Sequence, residues 1–204
     1  MRVLILQGSP RAGGNTDLLC QAMAQAAESA GASVQTLHLA HMTIGGCMEC
    51  FTCQRVGDGV GCAVKDDMER VYPAVLACDV LVLATPVFCW GPTAQLKAAL
   101  DRFYALCKFA QVENGQFKCL IEGKPAALVV SAGGGPHDGA EICVAAFRQM
   151  AGYLRLDNRG EFVAAPVGEP PDTARDTALL ARACEFARGL VQGCTPGVSG
   201  ASCP

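Results

Sequence analysis

Three stretches of the chain are almost wholly apolar over the length of a strand. Residues 2–7, 79–84 and 125–131 hold runs such as Val3-Leu4-Ile5-Leu6, Val80-Leu81-Val82-Leu83 and Ala126-Ala127-Leu128-Val129-Val130. Runs of this kind predict strands buried on both faces. Residues 33–39 alternate imperfectly through Val34, Leu37 and Leu39 and predict a further strand, as do residues 159–164. Between them the apolar period changes to that of a helix. Leu18, Leu19, Ala22, Met23, Ala26 and Ala27 share one face of a helix over 16–30, opened by Asn15 or Thr16 and stopped by Gly31. Helices are also predicted over 67–77, 93–106, 140–153 and 173–192. Residues 44–66 and 107–124 show no clear period and are expected to be irregular.

Apolar strands that alternate with helices imply a parallel sheet covered on both faces. Five such strands suit an α/β flavodoxin-like fold, a doubly wound five-stranded parallel sheet with helices on both faces. One domain is expected over 1–193, with a cysteine-rich insertion at 44–66 and a tail at 194–204. In this architecture ligands bind beyond the carboxyl ends of the strands, where the strand order reverses. The loops after the first, third and fourth strands, at 8–15, 85–92 and 132–137, are therefore expected to line one site.

Composition narrows the classes. The 204 residues are 51% hydrophobic and 17% charged, with a formal net charge of -3. That is enough material for a sizeable core, and there is no basic run for nucleic acid. The opening apolar run breaks at Gly8, too short for a secretory segment or a membrane span. No membrane partner and a cytoplasmic location are the expectations.

The first loop, Gly8-Ser9-Pro10-Arg11-Ala12-Gly13-Gly14-Asn15-Thr16, leads from a strand into a helix. Backbone N–H groups at a helix N-terminus attract an anion. Ser9, Gly14, Asn15 and Thr16 supply short or absent side chains there, and Arg11 supplies a guanidinium suited to phosphate. Gly14 stands where a P-loop needs lysine, and Pro10 stands where the dinucleotide pattern needs glycine, so neither motif applies.

The chain has 13 cysteines. Cys20, Cys78, Cys143 and Cys184 sit among apolar residues and read as small core side chains. Cys47, Cys50, Cys53 and Cys62 are different: they follow a C-x2-C-x2-C-x8-C spacing. Thiolates at that spacing on a turning loop can converge on one metal centre. An iron–sulfur cluster, a structural zinc and a set of free or partly bridged thiols all remain open. Cys194 and Cys203 are either a disulfide or free thiols.

The loop at 8–16 resembles the phosphate loop of the NADPH-dependent FMN reductase and iron–sulfur flavoprotein family. The resemblance continues in KDDM at 65–68, ATPVF at 84–88 and QLKAALDR at 95–102. It implies FMN as cofactor, with Ser9, Arg11, Gly14, Asn15 and Thr16 at the phosphate. It implies that Pro86, Val87, Phe88, Cys89 and Trp90 meet the ring edge, and that Ser131, Gly133, Gly134 and Gly135 complete the pocket. The chain departs from the family at Phe88, where relatives usually carry tyrosine. It departs again at Cys89, where an aromatic often follows. Iron–sulfur flavoproteins carry a four-cysteine motif in the same place and bind a 4Fe–4S cluster there, which would make Cys47, Cys50, Cys53 and Cys62 ligands.

The function implied is an FMN-dependent oxidoreductase. It would either use NAD(P)H to reduce flavin- or quinone-type acceptors or transfer electrons as an iron–sulfur flavoprotein, with ferredoxin or a small molecule as partner. A homodimer or homotetramer that covers the flavin is implied as well. A flavodoxin-type electron carrier and a zinc-bearing binding module without FMN are the alternatives.

Overall fold

The computed structural model describes residues 1–113 and 116–193; Cys194 and Cys203 lie outside the described residues. β1 (Arg2–Gln7) leads into α1 (Asn15–Ser29), then β2 (Ser33–His38), α2 (Met68–Ala77), β3 (Val80–Pro86) and α3 (Ala94–Asp101). A hairpin of β4 (Cys107–Glu113) and β5 (Gln116–Cys119) follows. β6 (Pro125–Ser131), α4 (Glu141–Tyr153), β7 (Asp157–Ala164), α5 (Pro170–Arg175) and α6 (Thr177–Gln192) complete the order.

Five strands form one parallel sheet in the order β2-β1-β3-β6-β7. The period of two along each strand divides the core. Leu4, Leu6, Leu81, Leu83, Leu128 and Val130 face α2, α3 and α4. Val3, Ile5, Val80, Val82, Ala127 and Val129 face α1 and α6. Strands with both faces packed in this way explain the apolar runs.

Three expectations are corrected. Residues 107–124 are not simply irregular, because β4 and β5 pair antiparallel. The predicted last helix is two helices. Asp176 leaves the helical conformation, and its side chain accepts from Leu179 N at 2.9 Å to cap α6. The predicted 93–106 helix tightens into a 3-10 turn at Arg102–Leu106. Within 44–66 a single 3-10 turn, Thr52–Gln54, is the only helical turn.

Arg102 and Lys108 both help to hold that segment. Asp66 and Arg102 form a buried bidentate ion pair, Arg102 Nη1 to Oδ2 at 2.8 Å and Nη2 to Oδ1 at 3.3 Å. Arg102 also donates to the carbonyls of Gly45 at 2.9 Å and Val64 at 3.2 Å, joining the two ends of the segment. Lys108, buried in β4, donates to the carbonyls of Cys53 and Val56 at 3.0 and 3.2 Å. With no carboxylate bonded to its ammonium, burial lowers the Lys108 pKa.

Candidate functional site at the carboxyl ends of the strands

The loop after β1 is fixed at both ends. Gly8 N donates to Ala84 O at 2.8 Å, and the Thr93 hydroxyl donates to Gly8 O at 2.8 Å. A Cβ on Gly8 would meet Thr93 Oγ1 at 2.7 Å and Leu96 Cβ at 2.8 Å, so only glycine allows this approach to α3. Further along, buried Asp17 accepts from Gly13 N at 2.7 Å, with Gln7 and Gln21 as its other donors. Gly13 has φ +67, a conformation that favours glycine.

Gly14 is the N-cap of α1 and brings no side chain to cap it. The first intrahelical bond runs from Leu18 N to Gly14 O. The N–H groups of Asn15, Thr16 and Asp17 therefore have no acceptor inside the helix. This is the electrostatic arrangement that holds a phosphate. Asn15 donates through Nδ2 to Gly168 O at 2.8 Å, while its buried Oδ1 lacks a partner in the protein. That oxygen is an acceptor left for a ligand hydroxyl or water. Arg11 is exposed and lies 3.8 Å from exposed Glu169. A pair of that kind is weak and leaves the guanidinium available to an anion.

A cavity of about 600 Å³ opens above this helix end. Ser9 to Arg11 and Gly14 to Thr16 form one wall, Pro86 to Phe88 the second, and Ser131 to Gly133 the third. At its floor Thr16 Oγ1 and Ser131 Oγ share a buried hydrogen bond of 2.7 Å, which ties α1 to β6. The fourth wall, Val167 to Glu169, was not anticipated. Its signal was available, because this loop too follows the carboxyl end of a parallel strand. Cys89, Trp90, Gly134 and Gly135 stand beside the cavity rather than on its wall.

The second wall ends in a tight turn. Phe88 and Gly91 exchange both backbone hydrogen bonds, at 2.9 and 3.0 Å. The central residues, Cys89 and Trp90, both have positive φ, 47° and 59°. This is the I′ conformation, which asparagine and glycine usually occupy. Each of these side chains costs about 1 kcal/mol there. Trp90 Nε1 donates to Asp138 Oδ1 at 3.1 Å, and Gly139, at φ +101, packs under the turn. The turn therefore rests on the loop after β6.

The four motif cysteines are spread out. Cys47 and Cys50 are exposed, Cys62 is half-buried and Cys53 points into the core. Among the described residues no three His, Cys, Asp or Glu side chains converge as a metal-binding set. The cause is local. Lys108 holds the Cys53 carbonyl, and Gln54 bonds β4 through Cys107 O at 2.8 Å and Phe109 N at 3.2 Å. Glu49 and Phe51, in the exposed stretch, take left-handed backbone conformations.

Curated proteins with similar sequence include an iron–sulfur flavoprotein of Archaeoglobus fulgidus, 33% identical over 102 residues. That match covers 50% of this chain and 45% of the relative. An iron–sulfur flavoprotein of Methanocaldococcus jannaschii is 30% identical over 144 residues, 71% of this chain and 67% of the relative. The chain spans about half the length of the first curated relatives it matches. Among solved structures, an NAD(P)H:quinone oxidoreductase from Methanothermobacter marburgensis superposes with TM-score 0.65 at 19% identity, over 93% of this chain and 96% of that one. An FMN-dependent NADH-azoreductase from Bacillus anthracis, solved with FMN, gives 0.64 at 11% identity, over 94% and 100%. Likeness at these identities establishes the fold alone. The family model for NADPH-dependent FMN reductase matches residues 1–168, and the chain belongs to that family.

Proposed function

We propose that the chain is an FMN-dependent oxidoreductase that takes electrons from NADH or NADPH and passes them to a small acceptor of the quinone or flavin type. The observation that carries this reading is the cavity of about 600 Å³ with the uncapped end of α1 at its base. FMN, when bound, supplies reversible one- and two-electron transfer. The first-turn N–H groups of α1, with Ser9 and Arg11, bind its phosphate. Asn15 Oδ1, orphaned in the protein, accepts from a hydroxyl of the side chain between phosphate and ring. Pro86 to Phe88 and Ser131 to Gly133 hold the ring edge and exclude water from it. The exposed rings of Phe88 and Trp90 lie beside the opening and offer a flat face to an aromatic acceptor.

Among the described residues Cys47, Cys50, Cys53 and Cys62 do not converge as a metal-binding set, and no step of this reading is routed through them. A homodimer or homotetramer is part of the same reading, in which a second copy of the chain would cover the exposed rings of Phe88 and Trp90. Among the described residues no helix is long and apolar enough to cross a membrane.

Titration of the full chain with FMN and with riboflavin, read by flavin fluorescence, tests the reading. FMN is expected to bind much more tightly, because riboflavin lacks the phosphate that α1 holds. Equal affinities, or no NAD(P)H oxidation with menadione by the loaded chain, would overturn it. An anaerobic absorption spectrum of the same sample should show flavin bands without the broad iron–sulfur shoulder.

A further inference from the structure

Two cysteines outside the four-cysteine motif face each other across the β4–β5 hairpin. Cys107 and Cys119 are directly opposed in the antiparallel pair. Leu120 N donates to Leu106 O at 2.9 Å, one residue outside the pair on each strand. That bond marks Cys107 and Cys119 as a non-hydrogen-bonded pair, the closer of the two kinds. Opposed residues of this kind have Cα atoms about 4.5 Å apart, within the range that a disulfide spans. Both thiols are buried and free.

We propose that Cys107 and Cys119 form a dithiol site, oxidised to a disulfide by low-molecular-weight disulfides of the glutathione class. The chemistry is thiol–disulfide exchange. The Cys119 thiolate attacks one sulfur of the small disulfide, whose S–S bond breaks to release one thiolate. Cys107 then gives its proton to solvent, its sulfur attacks the Cys119 sulfur, and the second small thiol leaves. Two protein thiols lose two electrons and two protons, and the small disulfide becomes two thiols. Hydrogen bonding from Cys107 lowers the Cys119 pKa against the effect of burial, and the Ile121 backbone and the Arg155 guanidinium lower it further. This makes Cys119 the attacking sulfur. Access comes from the hairpin itself. A two-stranded ribbon with one exposed face opens locally far more readily than the central sheet, and Val112 near its tip is exposed.

The site has a structural reach. β4 carries the bonds from Gln54 to Cys107 O and from Lys108 to Cys53 O. A covalent rung at Cys107–Cys119 therefore stiffens the strand on which the four-cysteine segment is anchored.

The test uses the full chain with FMN added, incubated in glutathione buffers of increasing oxidised fraction. Remaining thiols are then blocked, and the protein is digested and analysed by mass spectrometry. Lys108 and Lys118 place the two cysteines in separate tryptic peptides; because Lys124 precedes Pro125, Cys143 shares the Cys119 peptide, and fragmentation tells the two apart. The expected product is one cross-linked pair joining Cys107 to Cys119, two hydrogens lighter than the sum and reversed by dithiothreitol. Full blocking of both thiols at every ratio would overturn the proposal. So would a glutathione adduct that persists on Cys119, or a bridge from either residue to another cysteine.

Discussion

Replacing Asp66 with asparagine probes the clamp at the base of the cysteine-rich segment. Asp66 Oδ2 accepts from Arg102 Nη1 and from Gly45 N at 2.9 Å, and Oδ1 accepts from Arg102 Nη2 and from Met68 N at 3.0 Å. The two side chains are 1% and 6% exposed. Asparagine keeps the shape but turns one acceptor oxygen into an NH2 donor that faces other donors. It also leaves the Arg102 charge buried without a counter-charge, on a guanidinium whose Nε already lacks a partner. Removing one member of a buried pair costs about 3–5 kcal/mol. For a domain of this size each kcal/mol moves Tm by about 2–4 °C, so a fall of about 6–20 °C is expected. Urea unfolding followed by far-UV circular dichroism measures the free energy directly. The pH dependence adds a second reading. Burial pushes the Asp66 carboxyl upward, but the hydrogen bonds from Arg102, Gly45 and Met68 outweigh it and hold the pKa below the usual value. Its stabilisation is therefore complete above the unfolded value of about 3.9 and is lost as pH falls through the lower folded value. The gap between wild type and Asp66→Asn should narrow in acid. A gap under about 1 kcal/mol at neutral pH, or one that stays constant down to acid unfolding, would refute the reasoning.

Thr93→Val removes the hydroxyl that caps α3 and holds Gly8 O. It should cost about 1–2 kcal/mol of stability and weaken FMN binding, read by chemical denaturation and flavin fluorescence. Gly139→Ala puts a methyl 2.8 Å from Val87 Cγ1 and 3.2 Å from Trp90 Cα at φ +101. It should cost about 1–3 kcal/mol, whereas Gly133→Ala, whose Cβ would meet open space, should leave Tm nearly unchanged. Asn15→Ala breaks the bond to Gly168 O and removes the free Oδ1; it should weaken FMN and riboflavin binding alike, because both carry the hydroxyl chain, and an unchanged riboflavin affinity would argue against its place beside that chain.

The central strands were legible because burial on both faces leaves no polar position in Val80–Leu83 or Ala126–Val130. The β4–β5 hairpin was not, because a buried lysine, Lys108, stands where the pattern needs an apolar side chain. Its one local signal is the Asn114-Gly115 pair between the strands. The break at Asp176 was equally hidden. An aspartate in a helical stretch reads as an exposed position until its hydrogen bond to Leu179 N is seen. Three walls of the cavity followed from the topology rule, and the Val167–Glu169 wall would have followed from the same rule applied to the last strand. The spacing of Cys47, Cys50, Cys53 and Cys62 was plain, but spacing says nothing of Lys108 and Gln54, which anchor the chain at Cys53 and Gln54 to the hairpin.

The turn at Phe88–Gly91 closes through its own two backbone bonds, and the residues at its tip are tied to the rest of the protein by the single bond from Trp90 to Asp138. The identity of residues 89 and 90 thus bears on the folding of the domain mainly through the local cost of positive φ, about 1 kcal/mol each. Asparagine and glycine at these positions would relax the backbone while the phosphate end stayed intact. On the proposed function, the rim of the cavity is then a replaceable part, where two residues could be changed to alter the acceptor while the loop that would hold the phosphate stayed as it is.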